Sequence, residues 1–274
     1  MHRFSRPALR RLAALSLLAG ISFSAEAHRT FLVPSSTVLS GNAPWVTLDA
    51  AAASNVFEFD HMPLKLDNLQ VTAPDGSRVA PENAGTGRFR SVFDLPLKQA
   101  GSYKIEILNE GLSASYKDNG TLKRWRGNAA SLSKEIPAHA TELQVAERSS
   151  RIETFVTNGK PGGQALKISG KGLELSPVTH PNDLVAGEPA SFHLLIDGRP
   201  AANVTVHIIQ GGIRYRQTLN EQTVVSNAEG LFSVTWAQPG LYWLEAEVKT
   251  EQGVTPPASS RIASLALTLE VLPQ

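Results

Sequence analysis

The chain has 274 residues, 26 lysines and arginines against 25 aspartates and glutamates, seven histidines and no cysteine. That balance supplies no bulk charge for nucleic acid or anionic lipid, and the lack of cysteine excludes disulfides, thiolate metal sites and cysteine nucleophiles. Walker-type Gly-Lys-Ser/Thr, Gly-x-Ser-x-Gly and His-Glu-x-x-His motifs do not occur either, so the common nucleotide, hydrolase and zinc-protease chemistries have no sequence support.

Residues 1–27 read as an export signal. Arg3, Arg6, Arg10 and Arg11 form a basic start, Leu12 to Phe23 an apolar run too short to span a bilayer, and Ala25 and Ala27 the small residues of a cleavage site. Cutting after Ala27 removes four arginines and Glu26, leaves a slightly acidic protein without a transmembrane segment, and predicts a periplasmic location. It also makes His28 the first residue, so that one residue offers an α-amine and an imidazole as chelating nitrogens. The alternative is that His28 is simply the residue that follows the cut.

From Phe31 to about Val145 short β-branched or alternating runs are punctuated by Gly, Pro, Asn and Asp, the pattern of an all-β sandwich. Trp45–Leu48, Leu69–Thr72 and Tyr103–Ile107 are predicted strands, and Ala73-Pro74-Asp75-Gly76 is a predicted turn. Gln99-Ala100-Gly101-Ser102-Tyr103 enters its strand in the manner of immunoglobulin-like modules. No segment carries a 3.6-residue apolar period of helical length.

Two stretches in this half point to chemistry. Asp60-His61-Met62 gathers a carboxylate, an imidazole and a thioether. His61 is a candidate partner for His28 on a divalent ion, Asp60 a candidate ligand or tautomer-fixing acceptor, and Met62 relevant only to a soft ion such as Cu(I); the competing reading is an ordinary loop anchored by Phe57 and Phe59. Asn119-Gly120 predicts a hairpin whose return strand carries Lys123, Arg124, Trp125 and Arg126. Those four side chains form either a cationic and aromatic face for a partner or a solvated edge kept from aggregating by its charge.

The sequence loosens over residues 136–150, and residues 151–182 are expected to connect two domains, 28–150 and 183–274. Within this connection Glu153–Thr157 is strand-like and Pro177 and Pro181 keep the chain extended around His180. From Asp183 on, Ala190–Ile196, Asn203–Ile209, Leu231–Trp236, Leu241–Lys249 and Ser264–Leu272 alternate with turns at Asp197–Pro200, Asn227–Gly230 and Gln238–Gly240. This predicts a second immunoglobulin-like sandwich in tandem with the first. His193 and His207 lie inside these strands and read as structural or simply exposed; His139 has no evident partner.

His28, the Asp60-His61-Met62-Pro63-Leu64 run, His180-Pro181-Asn182-Asp183-Leu184 and Gly211-Gly212-Ile213-Arg214-Tyr215-Arg216 together resemble a bacterial periplasmic family of unknown function. Its members are often labelled nickel-uptake or nickel-transport-complex proteins. The Gly41 turn, the Thr72–Gly76 turn, the Pro239–Tyr242 strand entry and Phe31-Leu32-Val33-Pro34 also fit, whereas Arg29 and Thr30 depart from the acidic-aromatic pair usual after the first histidine. The resemblance implies a protein of transition-metal uptake or handling, associated with a TonB-dependent outer-membrane receptor or a metal transporter; it implies no proven reaction, and the expectation is that the protein is not an enzyme. On this expectation His28 and His61, with His180 or Asp60, hold nickel, cobalt or copper. Arg214, Tyr215 and Arg216, like the Lys123–Arg126 strand, are candidates for contact with a partner. A metal-free interaction module and a copper histidine-brace oxidative enzyme are the alternatives.

Overall fold

The computed structural model describes residues 28–274, so the expected signal segment lies outside the described residues. In chain order the strands begin with β1 (Arg29–Pro34), β2 (Val38–Leu39), β3 (Trp45–Ala53), β4 (Met62–Pro63), β5 (Leu69–Thr72) and β6 (Glu82–Thr86). Next come β7 (Ser91–Pro96), β8 (Gly101–Asp118), β9 (Thr121–Gly127), a helix α1 (Ala129–Glu135), β10 (Thr141–Asn158) and β11 (Leu173–Pro177). The remainder is β12 (Pro189–Ile196), β13 (Arg199–Pro200), β14 (Thr205–Gln210), β15 (Gln222–Val225), β16 (Leu231–Thr235), β17 (Gly240–Thr250) and β18 (Ser260–Val271). The protein is therefore all-β, as its alternation predicts. The short α1 escapes a periodicity search because a single residue, Leu132, is its buried contact; Asn128 caps it by accepting from the Ser131 N–H.

Three sheets form three layers. The middle sheet runs β15-β14-β17-β18-β10-β8-β5, and a smaller sheet packs on each of its faces: β1-β3-β7-β6 on one, β11-β12-β13 with β16 on the other. Alternation along the middle strands serves both cores. On β17, Trp243 belongs to the first core with Phe31, Leu48 and Phe93, while its neighbour Leu244 belongs to the second with Phe192, Phe232 and Trp236. Ala266 and Leu267 on β18 divide in the same way, as do Ile209 and Ile208 on β14.

What joins the halves is the pairing of β10 with β18, parallel from Ala146↔Ser260 to Thr154↔Thr268. The expected connecting segment 151–182 is corrected here. Arg151 to Asn158 is the second half of β10 and is buried throughout. Its buried Arg151 and Glu153 interrupt the apolar pattern that marks a core strand in sequence.

Each core repeats one local device. The hydroxyl of Tyr103 donates to the carbonyl of Gln99 at 3.1 Å, and that of Tyr242 to Gln238 at 2.8 Å. Both sit in a Gln-x-Gly-x-Tyr entry and reproduce the tyrosine corner of immunoglobulin-like sandwiches. Tyr103→Phe or Tyr242→Phe removes one such bond and should lower unfolding free energy by about 1 kcal/mol each, read from urea denaturation of the folded variants.

A cluster of charge lies under the second small sheet. Arg151 binds Glu106, approaches Glu174 to 3.3 Å, and donates to Ser169 Oγ at 3.2 Å and the Lys171 carbonyl at 3.1 Å. Glu174 in turn accepts from the N–H groups of Ser169, Gly170 and Lys171 at 2.8, 2.7 and 3.2 Å. Lys104 stands 3.5 Å from Glu106, so two buried cations face the carboxylates of Glu106, Glu153 and Glu174. Burial pushes Glu153 up to about 7 against the pull of Lys104 and Arg151. Below that pH a proton on Glu153 balances the two cations against the other two carboxylates.

Because the folded state holds this proton more tightly than the unfolded chain, stability falls as pH rises from about 4.5, the ordinary carboxyl value, to about 7. The Glu153→Gln variant should lack that slope. Its stability relative to the wild type should increase across the window, as followed by denaturation midpoints at successive pH values.

Candidate functional site

The start of β1 and the loop before β4 flank the end of β3 from its two edges. Register pairs Arg29 with Ala53 and Met62 with Ala52, so β3 carries both segments. This brings the rings of His28 and His61 into a parallel stack, centroids 3.5 Å apart and planes within 5°. Both residues are exposed, and Met62 beside them is 49% exposed.

The loop is held from several sides. Asp60 accepts from the Ser54 N–H at 3.0 Å, and Phe57 and Phe59 pack edge-on against Phe31 at 5.4 and 5.9 Å. Phe57 has a φ of +61°, a left-handed conformation costly for a bulky side chain, which is maintained because its ring lies against Gly211. Any Cβ at Gly211 would stand 2.9 Å from that ring. Glu58 meets Arg214 at 3.5 Å, so the turn at Ile213–Tyr215 buttresses the histidine loop.

As donors, the two imidazoles suit borderline ions such as Ni²⁺, Co²⁺ or Cu²⁺. Among the described residues no three His, Asp or Glu side chains lie close enough to hold an ion by themselves. The pair fits a metal only with a further donor, and the α-amine of His28, if the chain is cut after Ala27, is the nearest one. The lone pairs of a ring nitrogen lie in the ring plane, so one ring must leave the stack for both to face a single ion.

His180 is not part of this pair. It lies beyond the far end of β1, separated from His28 by roughly the 17–20 Å that a six-residue strand spans. Its Nε2 is 2.9 Å from Ser102 Oγ, and its Nδ1 accepts from the Asn182 N–H at 3.0 Å. Burial holds this imidazole below its usual range, so it stays neutral within a network that includes Thr157, which donates to Asn182 Oδ1 at 2.9 Å. The expected ligand is a polar rivet between the end of β10 and the segment entering β12. Asp60, whose Oδ1 accepts from Ser54, is likewise engaged in shaping the loop.

The basic hairpin divides by strand alternation. Lys123, Arg124 and Arg126 are exposed, but Trp125 turns inward, 9% exposed, onto Leu132 and Ile136 of the α1 region. Its indole N–H donates to Glu135 at 2.7 Å, so the expected aromatic face is instead the floor of a small satellite core. Around the second basic run, Tyr215 is 85% exposed and Arg214 mostly so. Arg216 differs: its guanidinium binds the carbonyls of Gln210, Gly211, Thr218 and Leu219 and closes the loop on itself. His139 has a partner that the sequence does not reveal, Asp118 at 2.9 Å.

A cleft opens beside each small sheet. One, of about 630 Å³, lies over Glu106 and Arg151; Asp197 pairs with Arg261 on its wall, so its charges are largely matched internally. The other, of about 600 Å³, lies beside β1 over Ile209, Trp243 and Glu245, walled by Arg29, Leu219 and Glu221. His207 at its edge bonds Glu221 through Nδ1. No helix among the described residues is long and apolar enough to cross a membrane.

Among curated proteins none matches the chain. Solved structures similar to it include the D0-D1 domain of intimin, 12% identical with a TM-score of 0.21 over 87% of this chain and 96% of that one. The human OSCAR ligand-binding domain is 14% identical with a TM-score of 0.20, covering 89% and 99% of the two chains. A DUF3823 family protein from Bacteroides uniformis is 10% identical with a TM-score of 0.24, covering 90% and 100%. Residues 25–250 match the family described as "Domain of unknown function (DUF4198)", and the chain belongs to that family.

Proposed function

We propose that the protein is an exported, periplasmic carrier of a divalent transition ion, with nickel, cobalt or copper as its cargo, held at the mature amino terminus. The observation that carries this reading is the contact of the His28 and His61 rings, 33 residues apart in sequence, on an exposed edge. Two imidazoles stacked in water gain little by themselves, whereas a chelating terminus needs a second imidazole within reach, and rotation of one ring out of the stack supplies it. His28 supplies amine and ring nitrogens, His61 supplies the third donor, and the Phe57–Asp60 loop sets the position of His61. Bound metal would act here as cargo, and the chain's part is to present neutral nitrogen donors and leave the outer side of the site open to solvent.

That openness suits transfer to an outer-membrane receptor or metal transporter. Arg214 and Tyr215, joined to the histidine loop through Glu58, are the exposed side chains best placed to meet such a partner.

Protein exported with its own leader and with its amino terminus confirmed should bind one Ni²⁺, Co²⁺ or Cu²⁺ per chain in calorimetric titration. His28→Ala and His61→Ala should each weaken binding at least about tenfold, since even residues that merely orient a ligand typically matter by that factor. Affinity should decline in acid, because imidazole and amine must shed protons to coordinate. Unchanged affinity in both variants would remove the assignment.

A further inference from the structure

The cleft beside β1 has a composition unlike that of its counterpart. Its floor is the stretch of the middle sheet beside β1, where Ile209 and Trp243 are almost fully buried in the first core and Glu245, next on that face of β17, is partly exposed. The opposite wall comes from the loop after β14, where Ile213 and Leu219 are half-buried. About 600 Å³ is the volume of an ordinary small-molecule site, and a junction between two packed units is where such sites occur most often.

Formally Arg29 and Arg216 balance Glu221 and Glu245 in this cleft, but their local pairing is uneven. Arg216 is fully engaged by four backbone carbonyls, and Arg29 donates to the Ser54 carbonyl at 2.8 Å while lying 5.8 Å over the Trp243 ring. Glu221 is taken by His207. Glu245 meets no hydrogen-bond or ion-pair partner among the described residues, although it is largely withdrawn from water. Burial, with Glu247 and Glu221 nearby, raises its carboxyl above the usual range in spite of His207 and Arg29. A half-buried carboxylate kept without a partner loses solvation, and a cation reaching it restores that loss with a charge-assisted hydrogen bond.

We infer that this cleft binds a small organic cation, its ammonium group on Glu245 and its apolar body against the Ile213–Leu219 wall. An anionic ligand would add negative charge beside the unpartnered Glu245, and a bare metal ion would leave the apolar wall unused. The site is independent of the amino-terminal histidines.

Metal-stripped protein titrated with phenethylamine and with putrescine, followed by calorimetry and by the fluorescence of Trp243 relative to a Trp243→Phe control, tests this. Phenethylamine should bind saturably and more tightly than putrescine, which lacks the apolar body; phenylacetate should not bind. Glu245→Gln should weaken the amine at least tenfold, and Glu247→Gln, on the exposed pair with Lys249, should leave it unchanged. Leu219→Arg, on the loop wall, should abolish binding even if Glu245→Gln fails to fold. Absence of amine binding at millimolar concentration, equal binding of phenylacetate, or full affinity in both the Glu245 and Leu219 variants would overturn the inference. A His28→Ala, His61→Ala double variant should keep the amine affinity, so failure of the metal reading and failure of this one are told apart.

Discussion

The parallel ladder between β10 and β18 is the constraint on which the molecule depends. A strand from the amino-terminal half is locked for nine residue pairs to the last strand of the chain, and the two halves then share one sheet. The covering sheets lie on opposite faces, and the middle strands are accordingly apolar on both sides where they are covered, Trp243 and Leu244 being the clearest adjacent pair. Parallel pairing needs a long connection, and the chain supplies one, the whole of the second unit from β11 to β17.

The same geometry explains where charge is buried. At the border of the second small sheet, β10 must pass from a covered to an uncovered region, and Arg151 sits at that border. It binds Glu106 on one side and the Glu174-held loop on the other, so the two units are joined by a polar clasp in addition to the shared ladder. Replacing such a cluster by well-packed apolar residues often costs nothing, while removing one member leaves an uncompensated charge. Its value here lies in fixing the loop Ser169–Lys171 against β10 more than in net stability.

The clefts follow from the offset as well. Each covering sheet ends at an edge strand, β1 or β11, and beyond each edge the middle sheet shows a polar half-face. Beside β11 that half-face is neutralised by internal pairs. Beside β1 Glu245 has no such pair among the described residues, and β1 directly follows the exposed His28 that stacks on His61. Edge strand, histidine pair and cleft therefore crowd one end of the first unit, while His180 fastens the other.

Much of the fold was legible in the sequence. Alternation and turn residues located Leu69–Thr72, Pro189–Ile196 and Leu231–Thr235 within a residue or two, because a half-covered strand writes its faces directly into its side chains. The Gln-x-Gly-x-Tyr entries mark both corners, and Asn119-Gly120, with φ values of +48° and +81°, marks the hairpin through backbone chemistry that few other residues tolerate. The sequence also singled out His28 and His61. Their proximity was not written there, since it depends on β3 pairing with both β1 and β4. Nor could local pattern separate His180 from them, turn Trp125 inward beneath α1, spend Arg216 on its own loop, or carry Arg151 and Glu153 into a core strand. Each of these depends on which element covers which face, and that is decided only when strands distant in sequence meet.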